Sequence, residues 1–208
     1  MIRMVMLSAA MLVSAASFAQ TTSVPAPAPA PVPSPSAASD LVRVTLITAE
    51  GPIVLALDRG RAPITVANFL RYVDGKRFDG TAFYRAMKLG DGLGLVQFGT
   101  SNDPKRTLKP IAHEPTSKTG ISHTDGTLSM AMGAPGSAAG DVFIVVGDIN
   151  TLDATATEPG FAAFGKVVEG MDIVRRILVA PTSPTKGEGV MRGQMLEPTI
   201  GVVSAKRG

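Results

Sequence analysis

Phe161-Ala162-Ala163-Phe164-Gly165-Lys166-Val167-Val168-Glu169-Gly170-Met171-Asp172-Ile173-Val174-Arg175-Arg176-Ile177-Leu178 carries two periodicities in one run. Phe164 to Val168 reads as a short strand. Past Gly170 the spacing changes, with Ile173, Val174 and Ile177 falling on one side of a helix. Met171 to Leu178 is therefore an amphipathic helix with those residues inward. A short strand handed directly to a short helix is the unit from which the rest can be read.

Outward from that unit, short strands dominate. Val42, Val44 and Leu46 alternate along a first strand, Ala49-Glu50-Gly51-Pro52 is a turn, and Ile53 to Leu57 is the return strand. Pro63 opens a helix in which Val66, Phe69, Leu70 and Val73 share a face, and Gly75 stands where a stop belongs. Further strands are predicted at Ala82 to Ala86, Leu95 to Phe98, Thr127 to Met132 and Val142 to Val146, with Thr199 to Ala205 as the last. Many short strands with two helices predict a mainly β fold. It is a closed antiparallel barrel of about eight strands, which leaves no open sheet edge, capped at its ends by the two helices.

The N-terminal 40 residues are a different material. Arg3 followed by a nearly all small or apolar run from Met4 to Ala16, then Ser17-Phe18-Ala19, predicts a signal peptide over residues 1–19, cleaved after Ala19. The run is shorter than the roughly 20 residues a bilayer span needs, so no stable membrane insertion is expected after cleavage. Residues 20–40, with alternating Pro and Ala, predict a polyproline-like spacer. Residues 41–208 form the globular domain. The 208-residue chain has no cysteine, which removes disulfides, thiolate metal sites and a cysteine nucleophile. Its net charge of +3 comes without a dense Lys/Arg cluster, so no nucleic-acid partner is expected.

The common catalytic signatures are missing. His113 and His123 lie in polar loops with no metal-binding motif around them, so no metal site is expected. The Leu128-Ser129-Met130 segment lacks the glycines of a nucleophile elbow. What remains is Arg85, mid-strand in Phe83-Tyr84-Arg85-Ala86. On pattern alone, the commoner reading of such an arginine is the solvent face of an edge strand.

Several segments together resemble the cyclophilin family of peptidyl-prolyl cis-trans isomerases, in its bacterial exported branch. Thr81-Ala82-Phe83-Tyr84-Arg85 followed by Leu95-Val96-Gln97 resembles the family's F-H-R and F-M-x-Q-G strands. Gly126-Thr127-Leu128-Ser129-Met130-Ala131, and then Ala139-Gly140-Asp141-Val142-Phe143-Ile144, resemble its next two strands. Phe161 to Asp172 is similar to its F-G-K-V-v-x-G-m-d stretch. Gly51 to Leu55 and Ala62 to Leu70 agree as well, so the likeness covers about Val42 to Ser204.

The resemblance implies a cyclophilin-like barrel and an isomerase of X-Pro bonds that assists folding of exported proteins in the periplasm. It needs no cofactor and takes proline-containing polypeptides as substrates; a monomer is expected. Arg85 would be the catalytic donor, with Gln97 holding the substrate carbonyl and orienting the arginine. The main-chain NH of Met132, beside Ala131, would anchor the peptide. Phe143, Leu95, Leu152 and Phe161 would wall the proline pocket. The chain departs from the family where Tyr84 replaces a histidine, Gly94 a pocket phenylalanine, and Asp141-Val142 a Gln-Phe pair. Asp141 is expected to bring a carboxylate toward Arg85 and restrain it. These departures leave a second class open, a weakly active peptide-binding chaperone or scaffold. A third is an assembly protein tethered through the Pro/Ala segment.

Overall fold

The computed structural model describes residues 40–208. The expected leader and all but the last residue of the expected spacer lie outside the described residues. The domain begins with β1 (Leu41–Thr48) and β2 (Gly51–Asp58), an antiparallel hairpin in which Thr48 faces Gly51 across the Ala49-Glu50 turn. Val44 and Leu46 of β1 are buried, as their alternation predicts.

Helix α1 (Pro63–Asp74) starts with proline in its first turn, where a missing N–H costs nothing. Its buried face holds Val66, Phe69, Leu70 and Val73. The first turn has no acidic residue of its own. Glu114, fully buried, supplies the carboxylate, with Oε2 accepting from Thr65 N and Thr65 Oγ1 at 2.7 Å each. Gly75 ends the helix through close approach. A Cβ there would stand 2.9 Å from Arg71 O.

The remaining elements are β3 (Thr81–Gly90), β4 (Leu93–Gly99), α2 (Thr116–Thr119), β5 (Thr127–Met130), β6 (Asp141–Val146), β7 (Ala162–Glu169), α3 (Met171–Val179), β8 (Thr182–Ser183) and β9 (Met195–Arg207). Eight strands run in the order β1-β2-β7-β5-β6-β4-β3-β9, and β9 pairs back with β1 to close the ring. The two-residue β8 only adds to β9. The predicted closed barrel is thus present, with three α-helices among the described residues rather than two. The extra one, α2, is a single turn between Pro115 and the left-handed Gly120 (φ 68°), too short to show a helical period.

Inside the ring, Leu46, Leu55, Phe83, Val96, Phe98, Leu128, Ile144 and Phe164 belong to one apolar core. Phe69 of α1 packs into it, 5.1 Å from Phe78 and 5.4 Å from Phe164 between ring centroids. Ile173, Val174 and Ile177 of α3 are buried against it as expected. With the interior filled by side chains, any binding site has to lie on the outer face of the barrel.

Candidate active site

A β-bulge decides where Arg85 points. Phe83 and Arg85 are two residues apart, so regular alternation would put both on one face. The register of β3 shifts between them against both neighbours, β4 and β9, leaving Tyr84 as the extra residue. Phe83 therefore stays in the core while Arg85 turns outward and lies half-buried on the outer face. Because β3 is flanked on both sides, the edge-strand reading of Arg85 does not hold.

The outer face carries one cross-strand row. Arg85 faces Gln97 across β3–β4, Gln97 faces Phe143 across β4–β6, and Phe143 faces Ser129 across β5–β6. The next row places Met87 opposite Leu95 and Leu95 opposite Val145. Period-two alternation in β4 and β6 puts these residues out and Val96, Phe98, Val142 and Ile144 in.

Hydrogen bonds tie the polar end of the row into a chain. Arg85 Nη1 donates to Gln97 Oε1 (3.0 Å), Gln97 Nε2 donates to the Tyr84 hydroxyl (2.6 Å), and that hydroxyl donates to Asp141 Oδ1 (2.9 Å). Ser101 N also donates to Asp141 Oδ1, at 2.8 Å. Burial, and then the charge of Asp141, push the Tyr84 phenol well above its ordinary pKa, so the hydroxyl keeps its proton. Partial burial lowers the Arg85 pKa, with Tyr84 opposing; a guanidinium remains a cation nonetheless. Asp141 thus does not pair with Arg85, contrary to expectation. Two side chains stand between them, because Gly99, not Gln97, is the residue opposite Asp141.

Next to Arg85 lies a second apolar cluster, outside the barrel core. Leu95, Phe143, Val145 and Ile149 form it, with Met87, Ala131, Leu152 and Phe161 packed around them. Phe161 meets Phe143 edge-on, centroids 5.4 Å apart. Sequence reasoning named Leu95, Phe143, Leu152, Phe161 and Ala131, and the structure brings all five together. Met132 is half-buried just past β5 and packs its side chain against the barrel core instead. No side chain can stand at Gly94, since a Cβ there would lie 2.2 Å from Met87 O and 2.8 Å from Leu178 Cδ1. Met87 joins the cluster without having been identified from the sequence. Alternation from an outward Arg85 points to it, once the bulge is known.

His123 was expected in a polar loop, but its side chain is fully buried. Its Nδ1 meets Asp153 Oδ1 at 2.5 Å, its Nε2 meets Ser129 Oγ at 2.9 Å, and its ring stacks on Phe143. The His123 main-chain N–H also donates to Asp153 Oδ1, at 3.0 Å. The order Ser129–His123–Asp153 has the connectivity of a hydrolytic triad. Both Ser129 and His123 are wholly buried, so a substrate carbonyl has no route to the hydroxyl. The group is a polar floor beneath Phe143. Among the described residues, no three His, Cys, Asp or Glu side chains converge as a metal site would require.

Comparison with known proteins agrees with this geometry. The family model described as cyclophilin type peptidyl-prolyl cis-trans isomerase/CLD matches residues 43–197. A peptidyl-prolyl cis-trans isomerase of Acinetobacter baylyi is 40% identical over 143 residues, covering 67% of this chain and 73% of that protein. Peptidyl-prolyl cis-trans isomerase A of Dickeya dadantii is 38% identical over 144 residues, covering 68% and 73%. In fold, the chain is similar to a crystal structure of a Cryptosporidium parvum cyclophilin type isomerase, with a TM-score of 0.66 at 18% identity over 81% of this chain and 98% of that one. The chain belongs to the cyclophilin-type peptidyl-prolyl cis-trans isomerases.

Proposed function

We propose that this isomerase speeds X-Pro rotation in exported polypeptides as they fold in the bacterial periplasm. Rotation faces a barrier of about 18–20 kcal/mol from amide resonance. In the twisted amide the nitrogen becomes pyramidal and can accept a hydrogen bond. A permanently charged donor held beside an apolar cluster favours that state over the planar ground state. The observation that carries the reading is Arg85 moored to Gln97 beside the apolar cluster of Leu95 and Phe143. Arg85 donates from Nη2, whose one other partner among the described residues is the weak acceptor Met87 Sδ at 3.7 Å. Gln97 orients Arg85 and lies beside the substrate carbonyl. The proline ring packs on that cluster against Phe143, Leu95, Leu152 and Phe161, and the Met132 NH holds the peptide backbone.

The Cryptosporidium parvum isomerase was solved in the presence of the dipeptide Ala-Pro. We take Ala-Pro sequences as substrates here too, bound by a monomer. Export rests on Arg3, the apolar run and Ser17-Phe18-Ala19. The test is protein taken from the native periplasmic fraction. Its N-terminus should read from Gln20, and it should accelerate cis-to-trans exchange of an Ala-Pro peptide. Recovery of the chain in the cytosol with Met1 intact, or absence of catalysed exchange, would overturn the proposal.

A further inference from the structure

Gln97 holds only one side of the Arg85 guanidinium. The other is held from the far end of the chain, 109 residues away in sequence, where Gln194 Oε1 accepts from Arg85 Nε at 2.9 Å. We infer that Gln194 is a second positioning residue of the isomerase, and that the surface segment ending in it sets the aim of Arg85.

The hydrogen bonds leave Gln194 no freedom. Its Nε2 donates to Val190 O at 2.8 Å, and a carbonyl can only accept. Arg85 Nε can only donate, so flipping the amide would set N–H against N–H at one end and oxygen against oxygen at the other. Its main chain is held as well. Gln194 N donates to Met191 O, and Gln194 O accepts from Ala86 N at 2.9 Å, beside Arg85 itself. The guanidinium is thus gripped at Nε and at Nη1, which suppresses rotation about the end of its side chain and leaves Nη2 forward.

The segment that delivers Gln194 has almost no apolar anchorage. Pro184 to Arg192 is exposed apart from the half-buried Gly187, and Val190 is 87% exposed while its carbonyl holds the glutamine. Its position depends on hydrogen bonds, and any shift of the 3₁₀ turn Gly189–Met191 reaches Arg85 through a single amide. A donor that must meet a short-lived twisted amide loses rate when its aim loosens, while ground-state binding on the apolar cluster is untouched.

This inference rests on Arg85 being the donor, and the test separates the two claims. Gln194→Met keeps length and main-chain contacts but removes the acceptor. Its kcat should fall about 5- to 10-fold with KM within about 2-fold, the pattern of a loss confined to the transition state. Gln194→Glu keeps an acceptor for Arg85 Nε, now a charged one, while losing the donor to Val190 O, and its kcat should stay well above that of Gln194→Met. The Arg85 Nε–Hε signal in 15N NMR should exchange slowly with solvent in the parent and in Gln194→Glu, and fast in Gln194→Met. Wild-type kcat with unchanged Hε exchange in Gln194→Met would overturn the inference. So would equal losses in the Met and Glu variants that follow a fall in Tm. If instead Arg85→Ala retains activity while Hε exchange still responds to Gln194→Met, the mooring stands and the donor role of Arg85 fails.

Discussion

Phe143 lies over His123 with ring centroids 5.9 Å apart and planes 15° from parallel. A side chain of the apolar cluster beside Arg85 therefore rests on a titratable group that the solvent does not reach. Burial disfavours the charged imidazole, Asp153 opposes that, and the balance leaves the His123 pKa below its ordinary 6.5. Asp153 sits below its own ordinary 3.8, because hydrogen bonds from Ser122 and His123 outweigh a larger single effect of burial in the other direction.

Stability should fall on mild acidification. The folded chain releases a proton that His123 holds in the unfolded chain at low pH. Its stabilising contribution is complete above pH 6.5 and is lost as pH drops through that value and past the lowered folded pKa. The slope is at most about 1.4 kcal/mol per pH unit for one proton. The Asp153 contribution is lost separately, below pH 3.8. Urea midpoints at pH 7.5 and 5.5 should differ accordingly, and NMR should show the His123 ring still neutral below pH 6.5. A ring titrating at or above 6.5 would contradict this account.

Removing the donor should cost chemistry and little else. Arg85→Ala is expected to lower kcat/KM about 10²-fold, or about 2.7 kcal/mol of transition-state stabilisation. Arg85 is half-buried on the outer face, outside the barrel core, so Tm should barely change. A stable Arg85→Ala protein with parental activity would reduce Arg85 to a surface arginine.

Glu114 should matter for stability alone. It is fully buried, and two Thr65 donors depend on it. Glu114→Ala leaves the Thr65 N–H and hydroxyl without their acceptor at the start of α1, at a cost of about 1–3 kcal/mol. Chemical denaturation should show that loss, while kcat/KM measured well below the transition stays at the parental value.

The barrel was legible because its cause is local. Alternation in β1, β4 and β6, and the 3.6-residue spacing in α1 and α3, each name a buried face without reference to any other element. The site was legible only in part. Leu95, Gln97 and Phe143 follow from the same alternation, whereas Arg85 points outward only because of the bulge at Tyr84, which no run of residue types announces. His123 is buried by partners at positions 129 and 153, and Gln194 reaches Arg85 from the start of the neighbouring strand β9, 109 residues on in sequence. Contacts of that sequence separation leave no periodic trace in either segment.

Asp141 was expected to restrain Arg85 through charge. The geometry gives it a different task. A carboxylate can only accept, so the Tyr84 proton is committed to Asp141 Oδ1. The Tyr84 oxygen must then accept, which draws the Gln97 amide NH₂ toward it and turns Gln97 Oε1 toward Arg85. Asp141 thus sets the direction of a hydrogen-bond chain that ends on Arg85. Asp141→Asn keeps an Oδ1 acceptor for both Tyr84 and Ser101, and kcat/KM should stay within about 2-fold of the parent. Asp141→Leu and Tyr84→Phe each break the chain. Either frees the Gln97 amide to present its NH₂ to the guanidinium, where two donors repel, and each should lower kcat/KM about 3- to 10-fold, on the scale of one lost hydrogen bond. The double variant should cost little more than either single one, because both act through Gln97. A rise in kcat/KM for Asp141→Asn would restore the direct charge restraint and remove the orienting role.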